Sequence, residues 1–236
     1  MKKDLLLAQE SKNIKFAAIY QNVIKELLNK IIADRNNYKL YVLLGFCYKK
    51  TNKYNKAISY FEKALLLNKE AFSAFYQMGL CALKINRTCV AVNSFIKAIQ
   101  TNPTHPHAVL NLGISHELCE EPDMAFMIYQ RLIETTPNYT KAYEKKAELL
   151  IKMSQYSDAI PLLNQIVKLA PNNAIAYNML GNCYKKLGKS TYAYRCFRKI
   201  LNTNTTAEIS THALSELKQI NKASSKNEHR QKLKLC

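Results

Sequence analysis

An all-α solenoid of antiparallel helix pairs is the fold class this sequence predicts, and three observations carry the prediction. Glycine and proline are scarce, 5 and 6 of 236 residues, while Leu, Ala, Lys, Ile and Glu abound, a composition of helix formers. Small and aromatic residues recur at a fixed step of 34 residues. Within each step the apolar spacing is helical, as in Tyr41, Leu44, Gly45 and Tyr48 at i, i+3, i+4 and i+7.

The repeat is visible in several series at once. Gly45, Gly79, Gly113 and Gly181 stand 34, 34 and 68 residues apart, and Ala147 fills the gap. Ala57, Ala91, Ala125, Ala159 and Ala193 form an unbroken second series, and Phe61, Phe95, Tyr129, Leu163 and Phe197 a third. A fourth runs Tyr41, Phe75, Val109, Tyr143, Tyr177, and Pro103, Pro137 and Pro171 share one position. Each residue type has a mechanical reason. The Gly/Ala series, midway along a first helix, lets a second helix approach closely, and the Ala series does the same from the second helix. The aromatic positions fill the space between neighbouring hairpins. Proline ends each second helix before the next pair begins.

The frame divides the chain in order. Residues 4–37 read as a degenerate helix pair, with Val23 and Leu27 where Ala and Phe stand elsewhere and Ser11 as the trace of the glycine. Full pairs follow at 38–71, 72–105, 106–139, 140–173 and 174–207. Pro161 is expected in the first turn of its helix, capped by Ser157 or Asp158, where a missing N–H costs little. His105 and His107 flank Pro106 at a boundary and read as loop. Residues 208–220 predict a closing helix with Ile209, Ala213, Leu214, Leu217 and Ile220 on one face, needed because the last pair otherwise exposes its stacking surface. Residues 221–236, polar and basic, predict a disordered tail.

Tyr41-x2-Leu44-Gly45-x2-Tyr48 with Ala57-x3-Phe61, and Tyr177-x2-Leu180-Gly181-x2-Tyr184 with Ala193-x3-Phe197, resemble the signature of the tetratricopeptide repeat (TPR) family. The resemblance covers residues 38–207. Its tryptophan is replaced throughout by Tyr, Phe or Val, and the fourth unit has Lys146 and Ala147 in place of Leu-Gly. The family resemblance implies a right-handed superhelical solenoid whose first helices line a concave groove. It also implies a non-catalytic scaffold or adaptor for protein–protein interaction. Carried onto this chain, the groove positions are Val42, Leu43, Phe46, Tyr76, Gln77, Leu80, Leu110, Asn111 and Ile114, mostly apolar. Lys141, Glu144, Lys145, Glu148, Asn178, Met179 and Asn182 follow and are mostly polar. Lys50, Lys84, Lys152 and Lys186 form a basic edge. The fitting ligand is a peptide or helix with apolar anchors and acidic flanks. Some family members clamp chaperone carboxylates. Asn111, Lys141 and Lys145 match part of that clamp, but Tyr76 and Leu80 stand where its Lys and Asn are needed.

No catalytic constellation is legible: there is no phosphate loop, no H-E-x-x-H and no G-x-S-x-G. Cofactors and metals are not expected. Cys47, Cys81 and Cys183 share one position in three units and read as small buried hydrophobes. Seven cysteines without a C-x-x-C or a secretion signal predict free thiols in a reducing compartment, hence a cytoplasmic chain or a cytosol-facing assembly. No apolar run is long enough for a membrane span. The net charge of +18 leaves open a second function, a basic solenoid on nucleic acid or another anionic surface. Against it, the excess is 29 Lys with only 6 Arg, a compositional bias rather than a phosphate-reading set. A third reading is a self-associating subunit of a larger complex.

Overall fold

A computed structural model describes residues 2–203 and 205–233, with side chains over 18–203 and 205–222. The described residues form twelve α-helices and no strand. First helices are α2 (Tyr38–Lys50), α4 (Phe72–Lys84), α6 (Pro106–Leu118), α8 (Thr140–Lys152) and α10 (Ala174–Lys186). Second helices are α3 (Tyr54–Leu67), α5 (Thr88–Thr101), α7 (Pro122–Thr135), α9 (Tyr156–Leu169) and α11 (Ser190–Leu201). Both sets start at strict 34-residue steps. They are flanked by α1 (Lys2–Ala33) and α12 (Ala207–Leu233).

The chain divides into two compact units, residues 1–128 and 129–236. In the first, α1 packs on α2, α3 on α2 and α4, and α5 on α4 and α6, while successive first helices touch, α2 with α4 and α4 with α6. In the second, α9 packs on α8 and α10, α11 on α10 and α12, and α12 also touches α10.

One turn, used five times, folds each first helix back. The residue fifteen places into each repeat has positive φ: Asn52 (58°), Asn86 (57°), Glu120 (61°), Ser154 (61°) and Gly188 (71°). The next N–H reaches back to the first helix, as in Lys53 N to Tyr48 O at 2.9 Å and Lys189 N to Tyr184 O at 2.9 Å. The left-handed residue itself donates three back, Asn52 N to Lys49 O at 3.0 Å. This is a Schellman closure, which satisfies the last carbonyls of the helix.

The N-terminal segment departs from the expected helix pair. Residues 2–33 form one uninterrupted helix, α1. Ala18 occupies the place of Asn52, and alanine favours helix and resists the left-handed conformation. The second half of α1 fills the slot of a second helix: Leu27 is buried with Leu44 and Cys47, and Tyr20, Ile24 and Ile31 pack around them. Val23 is 36% exposed; no first helix of its own repeat folds back over it.

At the other end, α12 runs past the expected boundary to Leu233, so residues 221–233 are helical rather than a disordered tail. No Gly or Pro interrupts them, and Lys222 stands where the five repeats turn. Residues 234–236 of the expected tail lie outside the described residues. Ala213 and Leu217 of α12 are buried against Ala193, Phe197 and Ile200, with Ile209 and Ile220 partly buried beside them. Leu214, expected on that face, is 45% exposed.

Two local expectations also change. Pro161 is the sixth residue of α9, which starts at Tyr156 after Gln155, and so lies in the second turn. Its ring deprives the Ser157 carbonyl of its helical donor at an exposed position. Pro106 opens α6, and His105 is its cap, with Nδ1 accepting from Ala108 N at 3.2 Å; His107 is inside the helix rather than in a loop.

Candidate functional site

Helix geometry decides which side chains the first helices present. On α2, α4 and α6 the series through Leu44, Gly45, Gly79 and Gly113 turns inward. The residues just off it stay partly open. Leu43 is 50% exposed; Val42, Phe46, Tyr76, Gln77, Leu80, Asn111 and Ile114 are half-buried. Leu110 is a correction: at 8% exposure it belongs to the core and offers no ligand contact. Val42, Tyr76 and Leu80 also lean on the core below them.

Polar links tie this face together. Lys49 of α2 donates through Nζ to Gln77 Oε1 of α4 at 2.5 Å. Asn111 of α6 donates through Nδ2 to the His107 carbonyl at 2.7 Å and to the Tyr76 hydroxyl at 3.4 Å. The ammonium groups of Lys50 and Lys49 stand 5.2 and 5.9 Å from the centre of the Phe46 ring, close enough for cation–π attraction. Burial lowers the Lys49 pKa, opposed by Cys81 and reinforced by the charges of Lys50 and Lys84. At the other end of the helices Phe72 stacks on Tyr76 (5.7 Å), and His105 lies 4.6 Å from Phe72 and 5.2 Å from Tyr76. Burial, then the charge of His107, lowers the His105 pKa; burial raises that of Tyr76, opposed by the Asn111 bond.

In the second unit three lysines of the first helices are paired with carboxylates. Lys141 pairs with Glu144 (2.8 Å), Lys145 with Glu148 (2.5 Å), and Lys185 with Glu216 of α12 (2.5 Å). Asn178 and Asn182 are half-buried on α10, and Asn178 Oδ1 is buried without a hydrogen-bond partner. Lys50, Lys84, Lys152 and Lys186 are all exposed.

The contrast among the first helices is electrostatic. Helices α2 and α4 carry Lys39, Lys49, Lys50 and Lys84 and no carboxylate, and α10 carries Lys185 and Lys186 and none, whereas α8 contains two glutamates. The structure therefore brings the apolar positions and uncompensated lysines together on α2 and α4. Lys49, the twelfth residue of its repeat, is the residue that joins them.

Cys47, Cys81 and Cys183 are buried free thiols. Burial raises all three, Cys81 and Cys183 up to about 11. Among the described residues no group of three or more His, Cys, Asp or Glu is placed to hold a metal ion. None of the described helices is long and apolar enough to cross a membrane.

A family model, the cilia and flagella-associated protein 70 middle TPR-like domain, matches residues 41–202. No curated protein matches the chain by sequence. Solved TPR structures superpose well. A tetratricopeptide repeat protein from Parabacteroides merdae matches with TM-score 0.67 at 17% identity, over 91% of this chain and 90% of that one. YrrB, a TPR protein described as having an unusual peptide-binding site, matches with TM-score 0.63 at 20% identity, over 80% and 97%. MamA from Desulfovibrio magneticus RS-1 matches with TM-score 0.63 at 19% identity, over 70% and 93%. At these identities the likeness is one of fold: an all-α TPR solenoid.

Proposed function

Because the chain belongs to the family of the cilia and flagella-associated protein 70 middle TPR-like domain, whose fold serves protein–protein interaction, we propose that it is a non-catalytic scaffold. On this reading it holds a peptide or helix of a partner protein against the exposed face of α2, α4 and α6. One observation carries the reading: half-open apolar side chains (Val42, Leu43, Phe46, Leu80) lie beside Lys49, Lys50 and Lys84 on helices that contain no acid. Such a surface selects apolar anchors flanked by carboxylates. The peptide-binding site described for the structural neighbour YrrB supports the same use of the fold. Lys141 and Lys145 are already paired with glutamates. The free thiols favour the cytoplasm or a cytosol-facing assembly.

A second reading, binding of nucleic acid or another anionic surface, draws on exposed Lys50, Lys84, Lys152 and Lys186 and the net charge of +18. Salt separates the two. Phosphate-driven binding loses several orders of magnitude between about 50 and 200 mM salt, whereas an apolar groove with a few flanking charges loses little. The direct experiment is comparative capture. Partners retained by the wild-type chain should be lost by Leu43→Asp with Leu80→Asp; an unchanged set removes the groove reading.

A further inference from the structure

Four of the 17 acidic residues, Glu117, Glu120, Glu121 and Asp123, fall within seven positions at the turn between α6 and α7, in a chain of net charge +18. Apolar side chains stand exposed among them: Leu118 at 55%, Met124 at 47% and Met127 at 64%. The turn is tied back to α6 through Glu121. The Glu121 N–H donates to the His116 carbonyl at 3.0 Å, and the Glu121 carboxylate lies 2.6 Å from Nδ1 of the largely buried His116. Pliant thioether side chains beside a carboxylate cluster make an adaptable docking knob.

A surface of opposite character lies in the same unit. A cleft of about 580 Å³ opens between the last turns of α3 and α5, floored by Phe75 and Met78 of α4. Leu66, 81% exposed, forms one wall. Lys69 and Lys97 line it against the single carboxylate of Glu62, and the Lys97 ammonium stands 5.7 Å over the Phe75 ring. The cleft thus offers apolar depth with basic flanks, the complement of the knob.

Topology keeps the two apart in one molecule. In antiparallel pairs the turn inside a pair and the link to the next pair sit at opposite ends of the helices. The knob is a turn inside a pair, whereas the cleft is walled by the ends of second helices, where each links to the next pair. We infer that the α6–α7 turn of one chain docks through Met124 and Met127 into the α3–α5 cleft of a second copy, with Glu120 and Asp123 facing Lys69 and Lys97. The contact is heterologous, so copies add head to tail instead of closing a two-fold dimer.

Sedimentation velocity of the full chain over a wide range of concentration tests this, with circular dichroism confirming that each variant folds. The weight-average mass rises with concentration without stopping at a dimer, and added salt weakens the rise. Lys97→Glu and Asp123→Lys each weaken association by about tenfold or more, and the two together recover it. Lys69→Glu replaces Lys97→Glu if the latter fails to fold, and Met127→Asp abolishes association on an intact fold. A single mass at every concentration overturns the inference. So does association that ignores the single reversals or is not recovered by the pair.

Discussion

The ring of Phe61 occupies the space in which residue 45 would carry a side chain: a β-carbon on Gly45 would stand 2.6 Å from Phe61 Cε1. The same relation holds between Gly79 and Phe95, at 2.7 Å, and between Gly181 and Phe197, at 2.7 Å. Each glycine therefore serves the aromatic ring of its own hairpin, not merely the approach of two backbones. In the fourth repeat both partners change together. Ala147 gains the methyl and Leu163 gives up the ring, and both are fully buried.

A double-mutant cycle checks that pairing. Gly79→Ala alone destabilises by about 1–3 kcal/mol through overpacking, in spite of alanine's better helix propensity. Gly79→Ala with Phe95→Leu reproduces the native Ala147–Leu163 arrangement. It should cost less than the sum of the single changes by about 0.5–3 kcal/mol in urea unfolding. Strict additivity would mean that the two residues do not share one space.

The left-handed turn residues predict a gain. Ser154 and Glu120 hold φ near 61°, where Gly188 is at ease. Ser154→Gly and Glu120→Gly should each raise stability by about 1 kcal/mol, relieving a conformation costly for residues with a β-carbon. Asn52→Gly and Asn86→Gly gain less, because asparagine tolerates it. Thermal melts of the four variants give the ranking.

Lys146 is the charged residue in a leucine position. It is 7% exposed and hydrogen-bonded to Gln130, and burial lowers its pKa against the opposing pull of Glu134. Lys146→Leu restores the repeat residue and removes a buried ammonium. The expected gain is about 1–3 kcal/mol, read as a raised midpoint in urea.

Alkaline pH should weaken the fold through its thiols. Burial pushes Cys81 and Cys183 up to about 11 from the ordinary 9.0. Well below pH 9 both are protonated whether the chain is folded or not, and their stabilisation is complete. Between pH 9 and about 11 the unfolded chain releases protons that the fold retains. Stability then falls by up to about 1.4 kcal/mol per pH unit for each thiol. Cys81→Ala with Cys183→Ala should lessen the slope there and leave the share of Cys196, which burial also pushes up to about 11.

What the sequence could and could not disclose follows from where the information lies. Gly45, Ala57 and Phe61 recur because every hairpin needs them, so the repeat and its register are legible from period alone. The termini are single occurrences. A helix pair over residues 4–37 needs a turn at Ala18, the place of Asn52, but alanine's helix propensity prevailed and α1 runs on. The site was legible only as positions. Leu43, Gln77 and Asn111, which share one repeat position, are the more open residues, whereas Val42, Tyr76 and Leu110, one position earlier, lean on the core or enter it. The bond of Lys49 to Gln77 in the next repeat is not legible, because periodicity within one repeat cannot display a contact between two.

The central claim is that the face of α2 and α4, apolar and free of acid, holds partner segments. The most direct measurement is capture of partners by the full chain, compared with a variant carrying Leu43→Asp and Leu80→Asp whose melting curve is unchanged. The account predicts that partners with apolar anchors beside acidic residues are lost from that variant and weakened by Lys50→Glu with Lys84→Glu. An identical set of partners from the wild-type chain and both variants would contradict it.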